Sequence, residues 1–117
     1  MAINATRTAL VVFTGDITAS FTVSATDNAV SPGQVDLLTL ASGVNTITPP
    51  TGGSTPKAVT IQPPVGNLNT ITLKGVSGDT GVILHKTDPT VIALNSPTST
   101  FVLTASAQIV GVRLIWS

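Results

Sequence analysis

Thr70-Ile-Thr-Leu-Lys-Gly-Val-Ser-Gly-Asp-Thr-Gly-Val-Ile-Leu-His-Lys-Thr-Asp-Pro-Thr-Val-Ile-Ala-Leu94 is the stretch that decides the fold. It contains three short apolar runs, Ile71–Leu73, Val82–Leu84 and Val91–Leu94, and each is too short for a helix that would hold in water. Between them stand two strong turn signals: the glycines at 75, 78 and 81, then Asp88-Pro89. Short runs rich in β-branched residues and bounded by Gly, Asp and Pro read as strands and turns. The same stretch holds the only histidine, His85, together with Asp79, Asp88, Lys74 and Lys86. It is therefore either a chemical site or the part of an all-β protein where strand order is most legible.

The rhythm continues on both sides. Ala9–Thr14 reads as a buried strand closed by Gly15-Asp16, and Ala19–Ala25 alternates with Phe21 and Val23 on one face. Ser31-Pro32-Gly33 breaks the chain before a strand over Gln34–Leu40, expected to put Val35, Leu37 and Thr39 on one face. A short strand over Val44–Thr48 follows. Pro49–Pro56 is the most loop-like segment, because proline cannot donate to a ladder and Gly52-Gly53 frees the backbone. Lys57–Gln62 turns Val59 and Ile61 inward until Pro63-Pro64. In the central stretch Ile71 and Leu73 face in, and Val82–Leu84 is expected to be a short buried strand. Near the end, Phe101 and Leu103 share a face. Gln108–Trp116 is expected to set Val110, Val112, Leu114 and Trp116 against Arg113. The total is roughly nine or ten strands at the spacing of an antiparallel sandwich or barrel. There is no repeat and no helix. The expected fold is an all-β antiparallel sandwich, jelly-roll-like, with an immunoglobulin-like Greek key as the alternative; the missing cysteine pair and core tryptophan of the latter favour the jelly roll.

Composition limits function. The 117 residues carry 9% charged side chains, far below the roughly 25% of an ordinary domain, and no glutamate. Five Lys and Arg balance five Asp, so no basic patch exists to neutralise phosphates and nucleic acid is not an expected partner. A chain so poor in charge is expected to be poorly soluble alone, with much of its surface covered by partners. The absence of cysteine removes disulfides and thiolate metal sites. The start lacks a secretory pattern and the apolar runs are too short to span a bilayer, so synthesis in the cytoplasm without membrane insertion is expected. Residues 1–8, small and polar, are expected to form an N-terminal arm lying on a neighbouring molecule, ahead of a single domain over 9–117.

The chemical readings are weaker. His85, Asp79 and Asp88 are metal-ligand types, and Ser77, His85 and Asp88 are the residue types of a hydrolase triad, but the spacing does not make either set converge. Gly75-Val76-Ser77-Gly78 misses the nucleophile elbow Gly-x-Ser-x-Gly by one position. The three glycines are not a dinucleotide fingerprint and no helix follows them. They read instead as two turns needing positive φ, with Asp79 bonding back to the backbone, and Thr87-Asp88-Pro89 reads as an Asp-initiated turn. One tryptophan, three phenylalanines and no tyrosine offer little platform for a sugar, and Trp116 is in phase with the core. No catalytic residue, cofactor or metal is expected. Uncharged Thr-rich strands suit assembly, since depletion of Lys, Glu and Asp marks the cores of protein interfaces.

The segments Val59-Thr-Ile-Gln-Pro-Pro, Ile71-Thr-Leu-Lys-Gly, Gly78-Asp-Thr-Gly-Val and Asp88-Pro-Thr-Val-Ile-Ala-Leu resemble small β-sandwich virion proteins of tailed bacteriophages. The resemblance covers about half of the chain and carries no catalytic motif. It implies a structural role in the virion, as a capsid decoration protein bound to the major capsid protein or another virion protein. It also implies a homo-oligomer, often a trimer on capsids. The alternative is a tail or fibre module that recognises a host surface through the loops at 49–56 and 75–81.

Overall fold

The computed structural model describes residues 5–15, 19–27, 34–50, 56–94 and 100–117. It divides into two compact units, Met1–Val30 and Ser31–Ser117. In the first, β1 (Ala5–Phe13) and β2 (Ala19–Asp27) form an antiparallel two-stranded sheet of their own, with Ala9 opposite Val23, Val11 opposite Phe21 and Phe13 opposite Ala19. Ala5–Thr8 open β1, where branched threonines at 6 and 8 suit a paired strand. Residues 1–4 of the expected arm lie outside the described residues.

The second unit is the all-β sandwich that the sequence predicts. Its strands are β3 (Gln34–Leu40), β4 (Gly43–Ile47), β5 (Ala58–Gln62), β6 (Ile71–Lys74), β7 (Val82–Ile83), β8 (Thr90–Ala93), β9 (Phe101–Ala105) and β10 (Ile109–Trp116). They form two four-stranded antiparallel sheets, β3-β10-β5-β8 and β4-β9-β6-β7. The pairing is nested: β3 with β10, β4 with β9, β5 with β8 and β6 with β7. Two further pairings, β10 with β5 and β9 with β6, join these couples into sheets. One apolar cluster lies between them, drawing Leu40, Val59, Ile61, Ile109, Val112, Leu114 and Trp116 from the first sheet and Ile47, Ile71, Leu103 and Ala105 from the second. Trp116, 2% exposed, packs its ring 6.2 Å from that of Phe101, within the usual range for an aromatic pair.

The inward face of one strand, which its sequence leaves open, is set by a distant contact, and the phase of another shifts along its length. In β3 the inner row is Asp36, Leu38 and Leu40, leaving Val35 and Leu37 exposed. The reason is a hydrogen bond. Buried Trp116 must satisfy its indole N–H, and Asp36 Oδ2 accepts it at 3.0 Å across the β3–β10 pair, while Oδ1 accepts Gln34 Nε2–H at 2.7 Å. In β10 the register shifts between Val110 and Val112, at Gly111 with φ +89°. This bulge turns Ile109 inward and Val110 outward, so Val110 joins Arg113 rather than Val112. β7 also departs from expectation. It is a two-residue edge with Val82 and Ile83 exposed, and only Leu84 after it is buried.

Polar side chains tie the connections. Asn45 accepts the Ala41 N–H at 2.9 Å and donates to the carbonyls of Ala41, Gly43 and Leu103, fixing the corner where the chain leaves one sheet for the other. Buried Asn67 accepts the Asn69 N–H and donates to the carbonyls of Asn69 and, nineteen positions on, Lys86. The end of β10 is clamped as well, for Ser117 O accepts the N–H groups of Lys57 and Ala58, both at 2.8 Å.

Candidate functional site

The residues with catalytic or metal-binding chemistry fold into turns. His85 Nδ1 accepts the backbone N–H groups of Thr87 (3.2 Å) and Asp88 (2.9 Å), which places the proton of the neutral ring on Nε2. Asp88 Oδ1 lies 3.6 Å from the same nitrogen, and both side chains are largely exposed. The turn is therefore organised by His85, and Asp88 enters it as a donor through its N–H rather than initiating it. Asp79 behaves as expected: its Oδ2 accepts the Val76 N–H at 3.0 Å while its own N–H bonds back to Val76 O. Of the three evenly spaced glycines only Gly81 has positive φ, +77°, so one of the two expected turns needs it. A Cβ there would sit 2.5 Å from the Leu73 carbonyl oxygen. Ser77 makes no hydrogen bond to His85, and among the described residues no group of three His, Asp, Glu or Cys is placed to hold a metal. In the Pro49–Pro56 loop, residues 51–55 lie outside the described residues. No helix of the described residues is long and apolar enough to cross a membrane.

The surface with a distinct character is the outer face of the β3-β10-β5-β8 sheet. Register lines up Val35, Ile115, Thr60 and Val91 in one row across all four strands, and Leu37, Arg113 and Gln62 in the next. Val110, put outward by the bulge, extends the patch beside Thr39. Leu37 is 70%, Val110 67% and Val35 63% exposed. Large apolar side chains contiguous on one face mark an interaction surface, whereas single exposed ones do not. Arg113 is the one ionisable group in these rows. Beside it lies a cavity of about 220 Å³ lined by Gln62, Pro63, Pro64, Val65, Gly111 and Arg113.

The opposite sheet shows a related but narrower pattern: register aligns Val44, Thr104, Thr72 and Ile83, with Lys74 in the adjoining row. The Thr104 hydroxyl is buried there without a hydrogen-bond partner. Trp116 lies in the core as its phase suggests, so it offers no platform to a sugar.

Sequence alternation places Arg113 opposite the core but not the patch around it. The signal was present in Gly111, since an isolated glycine within a strand pattern marks a bulge. For Val35 and Leu37 no such signal existed, because Val35-Asp-Leu-Leu-Thr-Leu fits either phase. No protein family, no curated protein and no solved structure matches this chain.

Proposed function

We propose that this chain is a non-enzymatic structural protein of a virus particle, a capsid decoration or cement protein that binds the shell surface of a tailed phage. The observation that supports it most is the apolar, nearly uncharged outer face of the β3-β10-β5-β8 sheet, with Leu37, Val35, Val110 and Val91 open to a partner. Removing threonine and valine from water costs little compared with lysine or glutamate, so such a face is suited to burial against protein. The nested strand order favours a jelly roll over an immunoglobulin-like key, since eight strands paired from the outside inward make two four-stranded sheets of that kind. Jelly rolls serve in capsids and elsewhere, so the topology is compatible with the role without specifying it. In this role each copy, as part of a homo-oligomer, buries its face across neighbouring shell subunits, and attachment strength comes from repeated contacts.

A second reading, a tail or fibre module that recognises a host surface, draws support from the exposed 75–81 loop, where Val76 stands out beside Val82 and Ile83. One binding assay separates the two. The purified chain is expected to sediment with bare capsids and not with host cells; binding to cells and not to capsids would overturn the decoration role.

A further inference from the structure

We propose that the cavity beside Arg113 is the anchor of the docking face, and that it receives the carboxylate of an Asp or Glu flanked by apolar residues on a partner protein other than a second copy of this chain. The proposal deepens the function above and rests on it for the partner being a virion protein. At about 220 Å³ the cavity is smaller than the roughly 300–1,000 Å³ of small-molecule pockets, which suits one side chain better than a cofactor. Arg113 and Gln62 supply its side-chain donors, and Pro63 and Pro64 have no N–H to offer. A guanidinium presents N–H groups in a planar fork that fits a carboxylate. Arg113 has no carboxylate partner within the described residues, so its charge is available.

The surroundings set the rest of the ligand. Leu37 and Gln62 flank Arg113 across the strands, with Ile115 and Val110 along β10 and exposed Val65 at the cavity wall. A partner that covers this face must bring apolar groups to the valines and one negative charge to their centre, because an Arg buried without a counter-charge would oppose binding. Pairing of two copies about a two-fold axis through the cavity would set Arg113 against Arg113, which argues against a second copy as the occupant.

The test is an NMR titration of the intact protein with the blocked peptide Ac-Val-Thr-Glu-Thr-Val-amide and its Gln analogue. Saturable shifts are expected at Arg113 Nε, Gln62, Val65 and Gly111. The Gln peptide should bind about two- to fivefold more weakly, as should the Glu peptide to R113Q, while R113K retains most of the binding. Equal binding of the two peptides, or no saturable shift at these residues, would overturn the proposal. Concentration-dependent shifts of the same residues without peptide would assign the cavity to a second copy and also overturn it. On particles, R113E should lose occupancy while keeping the wild-type melting temperature; unchanged occupancy would sink the inference and leave the decoration role standing. If the wild-type chain binds no particle, the decoration role fails, and the titration still decides the cavity's ligand.

Discussion

At the scale of single residues, a few polar atoms hold geometry that the apolar pattern does not specify. Asp36 is the clearest case. Its carboxylate lets the indole of Trp116 be buried, and a buried donor left without an acceptor costs about 1–3 kcal/mol. Asp36→Ala should lower stability by that amount in urea unfolding, and Asp36→Asn, which keeps an acceptor oxygen, by clearly less. Asn67 joins two loops through Lys86 O, so Asn67→Ala is expected to cost a similar ~1–3 kcal/mol and to speed exchange of the Asn69 amide. Gly81→Ala combines positive φ with a Cβ 2.5 Å from a carbonyl oxygen, so it should be more damaging than Gly78→Ala, where nothing lies within 4 Å. Equal melting temperatures for these two glycine variants would contradict the geometry. His85→Ala should leave the fold intact and expose the Thr87 and Asp88 amides to faster exchange, since the ring caps only its own turn.

At the scale of elements, the existence of strands was legible and their phase was only partly so. Ile71 and Leu73, Val59 and Ile61, and Leu103 sit inward as their alternation implies, because the larger apolar residues of each strand recur at every second position. β3 has apolar residues in both rows, and the choice between them is made by Asp36 meeting Trp116 eighty positions away, a contact that periodicity cannot contain. β10 changes phase at Gly111, and reading the glycine as a bulge would have recovered it. The phase of β3 makes a direct prediction. Leu40→Ala should destabilise the protein by about 2–5 kcal/mol, whereas Leu37→Ser should fall within about 0.5 kcal/mol of wild type. The reverse order in denaturant unfolding would mean the strand faces the other way. The apolar outer face was only partly legible for the same reasons: the pattern of β3 leaves its inward row open, and alternation alone sets Val110 with Val112.

At the scale of the whole molecule, the proposed shell role gives the covered surface that the low charge implies a location. It is the outer face of the sheet carrying the longest strand of the sandwich, with Arg113 in its middle rows and no carboxylate paired to it among the described residues. The hairpin of β1 and β2 is a different case, because two strands alone are marginally stable in water. Its amides should exchange faster than those of β5, β9 and β10 in the isolated protein, and uniform protection across both units would contradict that division. The central claim, that the chain is a shell component, is tested most directly by its copy number on gradient-purified particles, measured by quantitative mass spectrometry against the major capsid protein. A number of the same order as that of the shell subunit is expected. A handful of copies per particle, or none, would contradict it.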